Sequence, residues 1–203
     1  MKTVYGLRQA IEQRKGARDE LLKRQKQLRV SLKEAEKRLD NTQLAQTILQ
    51  RVAQLTQKEL EFHISETVTL ALESIFSDPY TFQLDFVERR NKTEADIWFC
   101  RDDERIHPLT ASGGGAVDVA AFALRIALWR LQSPKTRNTL ILDEPFRFLS
   151  TDLLPKASEL LKGLSDKLGL QIIMITHSEE LTDAADKTFL VSQKKGVSIV
   201  APS

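Results

Sequence analysis

The chain has 203 residues, 41% hydrophobic and 29% charged, which is enough of each for one medium domain, or a small domain plus an extension, with a core and a wet surface. The formal net charge of +2 makes no case for a uniformly basic nucleic-acid binder, although residues 1–40 carry clearly more Lys and Arg than Asp and Glu. A single cysteine, Cys100, excludes an internal disulfide and fits a reducing compartment. No apolar run reaches the roughly 18 residues that a membrane-spanning helix needs, and "MKTVYGLRQAIEQRK" has no signal-peptide core. The expected location is cytoplasmic, with no membrane partner.

From Ala17 to Asp78 there is neither glycine nor proline, and Leu, Gln, Lys, Arg and Glu predominate, all good helix formers. With Leu7 as heptad position a, apolar residues recur at a and d, most regularly from Leu28 to Leu39, between charged flanking positions. The pattern predicts a coiled-coil helix that pairs with another helix, set against the simpler reading of a solvated helix packed on its own domain. At about 1.5 Å per residue such a helix outruns a small domain, so it projects or folds back as a hairpin. "LDNTQLAQ", Leu39 to Gln46, is the expected bend. The basic stretch "RQAIEQRKGARDELLKRQKQLR" can meet phosphates electrostatically, or be only a solvated surface.

Asp78-Pro79 punctuates the chain, and we place a boundary there, with a helical arm over 1–76 and an α/β lobe over 77–203. "TFQLDFVER" alternates as a half-buried strand does, and "ADIWFCRDDERIHPL" reads as a strand, an acidic turn and a short return strand. A glycine run leads into a helix from about Val117 to Leu131. "NTLILDEP" reads as a short buried strand, "TDLLPKASELLKGLSDKLG" as an amphipathic helix stopped near Gly169, and "LQIIMITHS" as a second buried strand. "EELTDAAD" suits a short helix and "KTFLVSQKKGVSIV" a closing strand or hairpin. Buried strands alternating with helices predict an α/β fold with a mostly parallel sheet flanked by helices. Trp98 and Trp129 fit core or interface packing better than base stacking, and Cys100 fits the core.

Sites in such sheets lie at the carboxyl ends of the strands. Here those ends carry Asp143, Glu144 and His177. Adjacent carboxylates repel unless a cation or a solvated substrate offsets them. Asp143 suits a hard cation such as Mg²⁺, and Glu144 can take a proton from an attacking water. A neutral His177 can contact a phosphate or position the water; taken alone it also fits a strand-end histidine with no chemistry. In "LTASGGGAVDVA", Ser112, Gly113, Gly114 and Gly115 precede a helix, where bare backbone N–H groups make an anion site or, alternatively, a turn that only glycine can make.

In this order, "ASGGG" before a helix, then "LILDEP", then "ITHS", the chain resembles the C-terminal half of an ABC-type ATPase head, and within that superfamily the SMC, RecN and SbcC-like DNA repair ATPases and phage recombination ATPases. The resemblance spans Leu109 to Val191 by motif and the rest by layout, because a coiled-coil arm precedes this half of the head in those proteins. It implies that Ser112, Gly113 and Gly114 form the signature turn against the γ-phosphate of ATP on an opposing head, that Asp143 supports Mg²⁺, that Glu144 is the catalytic base and that His177 is the switch histidine. The cofactors implied are ATP and Mg²⁺; the partners implied are a second head in a dimer, a nuclease subunit and DNA.

The sequence departs from the family at three places. Gly115 stands where a Gln or Glu is usual, and Leu149-Ser150 where a Leu-Asp pair is usual. No GxxxxGK followed by Ser or Thr occurs anywhere, so the principal nucleotide cradle is absent. The expected completion is a Walker A-bearing lobe, either elsewhere in a longer protein or on a separate chain; the start at Met1 and the end at Ser203 favour a natural or engineered half-head. The leading function is an ATPase lobe for DNA repair or recombination, inactive alone. Two alternatives stand beside it: a non-catalytic coiled-coil module that scaffolds a DNA-processing complex, and an unrelated metal-dependent phosphohydrolase using Asp143, Glu144 and His177.

Overall fold

The computed structural model describes residues 4–90, 92–102, 104–111 and 113–202. The described chain is one long helix followed by a mixed α/β region, in the order α1 (Val4–Ile75), β1 (Thr81–Arg89), β2 (Lys92–Arg101), β3 (Glu104–Ile106), α2 (Pro108–Ala111), α3 (Gly114–Leu131), β4 (Thr139–Asp143), α4 (Leu154–Leu168), β5 (Gln171–Ile175), β6 (Phe189–Lys194) and β7 (Val197–Pro202). It divides into two compact units between Thr56 and Gln57.

In the first unit every described residue is exposed, the heptad leucines Leu21, Leu28, Leu32 and Leu39 included. α1 runs 72 residues without interruption. The expected bend over Leu39 to Gln46 does not occur, and the hairpin alternative goes with it. Asp40 and Asn41 cost only tenths of a kcal/mol each relative to better helix formers, too little to stop a helix that is already propagating. The helix stops where Ser77-Asp78-Pro79 follows, since the residue before a proline is pushed out of the helical region.

The second unit has one core. Ile64, Val68, Leu72 and Ile75 of α1, spaced to lie on one helix face, are buried with Phe82, Leu84 and Phe99 of β1 and β2, with Val119, Ala123 and Ile126 of α3, and with Ala157 and Leu161 of α4. The same part of α1 runs along the β1 edge of the β1-β2-β3 sheet. Glu61 Oε1 accepts from the Phe86 N–H at 2.6 Å, Ser65 Oγ from Leu84 N–H at 3.0 Å and Thr69 Oγ1 from Phe82 N–H at 2.9 Å. Three oxygens at successive helix turns thus satisfy three alternate strand donors. The Lys156 ammonium on α4 donates to the Ile75 carbonyl at 3.2 Å, capping the end of α1.

The α/β class is as expected, but its pairings differ in kind. β4 and β5 form a parallel pair; β1-β2-β3 and β6-β7 are antiparallel. The strands read as fully buried are covered on one face only. Leu140, Leu142, Ile172 and Met174 pack inward, while Ile141, Ile173 and Ile175 are exposed at 66%, 46% and 58%. "EELTDAAD" forms a single 3-10 turn at Glu179–Leu181, not a helix of several turns. α4 stops at Gly169, whose φ of 62° is the left-handed cap that glycine adopts without strain. Cys100 is half-buried with its Sγ 3.5 Å from Gln83 Oε1, so it stands at the margin of the core.

Candidate functional site

The parallel register pairs Asp143 with Ile175, which brings the carboxyl ends of β4 and β5 level. The ladder goes one rung further, because the Glu144 N–H donates to the Ile175 carbonyl at 2.8 Å. The chain then turns sharply. Glu144 (φ 46°) and Phe146 (φ 60°) both sit in the left-handed region, uncommon for residues other than glycine and held only where the surroundings enforce it. On the other strand, the Ser178 N–H donates to Thr176 Oγ1 at 3.1 Å, tightening the turn that carries His177.

These two turns bring Glu144 and His177 into contact. His177 Nδ1 lies 2.7 Å from Glu144 Oε2, with His177 largely exposed and Glu144 half-buried. Nδ1 is the donor, since a carboxylate only accepts. In the neutral ring, Nε2 is then an acceptor, and the tautomer is fixed by this one bond. Glu144 keeps its second oxygen for another partner. Asp143 is exposed at the last position of β4, on the same strand face as Ile141. Among the described residues no group of three or more His, Cys, Asp or Glu side chains is placed to hold a metal ion. A single exposed carboxylate is what Mg²⁺ uses when phosphates and water supply its other ligands, so the donor set fits nucleotide-borne Mg²⁺ and not a cage made by this chain alone.

Ser112 lies outside the described residues. Gly113 is exposed, caps the N-terminus of α3 with φ −62° and ψ 145°, and has open space where a Cβ would stand. Gly114 and Gly115 do not. A Cβ on Gly114 would meet Phe148 Cβ at 2.8 Å, and one on Gly115 would meet both Leu149 Cδ1 and the Phe148 carbonyl oxygen at 3.1 Å. Two of the three glycines therefore lie close against the chain's own loop 145–150, the loop that leaves Glu144, Gly114 the more tightly. A side chain at 115, where a Gln or Glu is usual, would be tight against Phe148 and Leu149 of this loop.

Sequence reasoning found Asp143, Glu144 and His177 and missed the residues of α3 behind them. Asp118 Oδ2 accepts from the Phe148 N–H at 2.8 Å, and Phe122 packs edge-on against the buried Phe146 with ring centroids 5.3 Å apart. The available signal was spacing, since Gly114, Asp118 and Phe122 fall on one helix face.

No family model matches the chain. Over 149 residues, 73% of this chain, it is 29% identical to the DNA double-strand break repair Rad50 ATPase of Archaeoglobus fulgidus, and it covers 16% of that protein. Among solved structures it superposes with a TM-score of 0.57 on a chain from work on ATP-driven dimerization and DNA-stimulated activation of SMC ATPases, at 21% identity, covering 74% of this chain and 88% of that one. It superposes equally, with a TM-score of 0.57, on the Smc head domain with an extended coiled coil from Pyrococcus furiosus, at 18% identity over 78% of this chain and 40% of that one. In sequence the chain is similar to Rad50 ATPases, of which it spans a minor part of the length, and in fold it is similar to SMC head domains.

Proposed function

We propose that the chain is the C-terminal lobe of an SMC/Rad50-like ABC-type ATPase that couples ATP binding and hydrolysis to DNA repair or recombination in the cytoplasm. In this reading residues 1–76 are a coiled-coil arm, residues 77–203 are the lobe, and a Walker A-bearing lobe, in the same longer protein or on a separate chain, completes it. The observation that carries the reading is the Glu144–His177 contact at 2.7 Å, at the level carboxyl ends of two parallel strands and next to Asp143.

The need for a second lobe has its own support. Parallel sheets in α/β proteins are covered on both faces, yet Ile141, Ile173 and Ile175 are bare on the face that also carries Asp143. The β6-β7 hairpin exposes both of its faces, Phe189, Leu190 and Val191 among them, and an isolated two-stranded hairpin is marginally stable in water.

ATP with Mg²⁺, when bound, supplies the phosphoryl group and the positive charge that favours its transfer to water. Asp143 would hold the Mg²⁺. Glu144 accepts the proton of the attacking water on its free oxygen while His177 holds the other, which fixes the direction in which the carboxylate faces. Gly113, Gly114 and Gly115, with Ser112 next to them in the sequence, would meet the γ-phosphate of a nucleotide on a second head at the N-terminus of α3, so that the dimer is the working unit. DNA as a partner fits the double-strand break repair role of the Rad50 relative, a nuclease subunit would act beside the lobe on DNA ends, and ATP-driven dimerization is described for the SMC neighbour.

The test is ATP turnover by the chain alone, by the chain mixed with a Walker A-bearing lobe, and by the same mixture carrying Glu144→Gln. Turnover only in the mixture, reduced by about 10²- to 10⁴-fold in the variant, is the expected result. No turnover and no nucleotide-dependent association in either state removes the ATPase and leaves the scaffold reading, which the missing polar residue at Gly115 and the missing acid at Ser150 favour.

A further inference from the structure

We infer that Asp118 is a positioning residue that holds Glu144 against His177 by fastening the loop 145–150 to α3; its functional weight rests on the roles proposed above for that pair. The loop begins at Glu144 with two residues in the left-handed region, and such a turn persists only where its neighbours fix it. α3 supplies those neighbours at successive turns of one face. Phe148 and Leu149 pack on Gly114 and Gly115, Asp118 accepts the Phe148 N–H at 2.8 Å, and Phe122 packs on Phe146. The loop also closes on itself, with the Leu149 N–H donating to the Phe146 carbonyl at 3.0 Å. Of the fastenings between loop and helix, the Asp118 bond is the polar one, directional and charge-assisted, where the aromatic and glycine contacts tolerate sliding. The helix whose first turn would face a nucleotide on another head is therefore tied, within the same chain, to the turn that aims Glu144. A ligand that shifts the start of α3 reaches the acid–histidine pair through Asp118.

The experiment is NMR of the full chain without nucleotide, at one fixed pH. It reads hydrogen exchange of the Glu144 and Phe148 amides together with the His177 ring nitrogen signals, assigned with a His177→Ala variant. Asp118→Ala is expected to lose about tenfold in protection at Phe148, the equilibrium equivalent of one such hydrogen bond, and to move the His177 ring signals toward those of Glu144→Gln. Asp118→Asn keeps an acceptor oxygen and is expected to stay near the parent on both readouts. A folded Asp118→Ala chain with unchanged exchange and ring signals overturns the inference, as does an Asp118→Asn chain displaced as far as Asp118→Ala. If Asp118→Ala does not fold, Gly115→Ala displaces the same loop from the side of Leu149 and Phe148: displaced His177 signals then support the inference and unchanged ones overturn it. Because no nucleotide is present, a chain that never hydrolyses ATP still gives a result here, and a negative result here leaves the turnover test standing.

Discussion

The two stretches of α1 on either side of Thr56 are made of similar residues and meet opposite fates. From Val4 to Thr56 every residue is exposed, and the threonines there turn back on their own helix, Thr42 Oγ1 to the Arg38 carbonyl at 2.8 Å and Thr47 Oγ1 to the Gln43 carbonyl at 3.0 Å. From Gln57 to Ile75, Ile64, Val68, Ala71, Leu72 and Ile75 form a buried stripe, while Phe62 and Leu70 face outward, and the Thr69 hydroxyl is bonded to β1. Helix propensity is common to both stretches and decides nothing between them. What separates them is that the second has a surface to pack on inside its own unit, while the leucine stripe of the first, Leu21, Leu28, Leu32 and Leu39, is exposed.

The contrast can be broken most sharply by cavity formation. Leu72→Ala, at a site with no exposure, is expected to destabilise the chain by about 2–5 kcal/mol in urea denaturation, and Leu28→Ala by less than about 0.5 kcal/mol. A comparable loss at Leu28 would mean that the first stretch is already packed. A smaller difference separates the threonines. Thr69→Ala strands the Phe82 N–H and is expected to cost about 1 kcal/mol with faster exchange at that amide, whereas Thr42→Ala replaces a weaker helix former and is expected to be neutral or slightly stabilising. Smaller again is the cap at the end of the second stretch: Lys156→Met removes a cation from the Ile75 carbonyl and is expected to lower stability by about 0.3–1 kcal/mol. The smallest effect is that of pH on the unit that packs. The hydrogen bond from Arg89 holds the Asp96 carboxyl below its usual value of 3.8, so this pair stabilises the native state above the ordinary carboxylate range, and the contribution is lost as pH falls through and below that range. Denaturation midpoints should fall from about pH 4 downward, and fall less in Arg89→Ala, the difference being small because the pair is at the surface.

Much of the second unit could be read from residue patterns. Alternation gave β1 from Thr81 to Arg89, glycine marked the end of α4, and the polar residues closing "LILDE" and "IIMITH" pointed to Asp143, Glu144 and His177, because an apolar run that ends in ionisable residues at a strand terminus leaves few structural uses for them. The half-bare state of β4 and β5 was not legible, since an all-apolar strand reads the same whether one of its faces or both are covered within the chain. The clamp behind Glu144 was hidden for a different reason. Asp118 is one acid on a helix and Phe148 one aromatic in a loop, and only the fold sets the two side by side. The unbroken course of α1 through Asp40 and Asn41 depends on the long favourable run on either side, which outweighs two weak helix formers.

The three bonds between α1 and β1 have a mechanical consequence. Four residues of helix advance about 6 Å and two residues of strand about 6.7 Å, so the rows at Glu61, Ser65 and Thr69 stay nearly commensurate with Phe86, Leu84 and Phe82 across the whole contact. A force directed along the helix loads all three bonds at once, in shear, and must rupture them together. A force that lifts the helix away opens them singly, from one end, like a peeled seam. The joint is stiff to axial tension and compliant to peeling, so the direction of a pull on this helix, more than its size, determines whether the pull reaches the sheet.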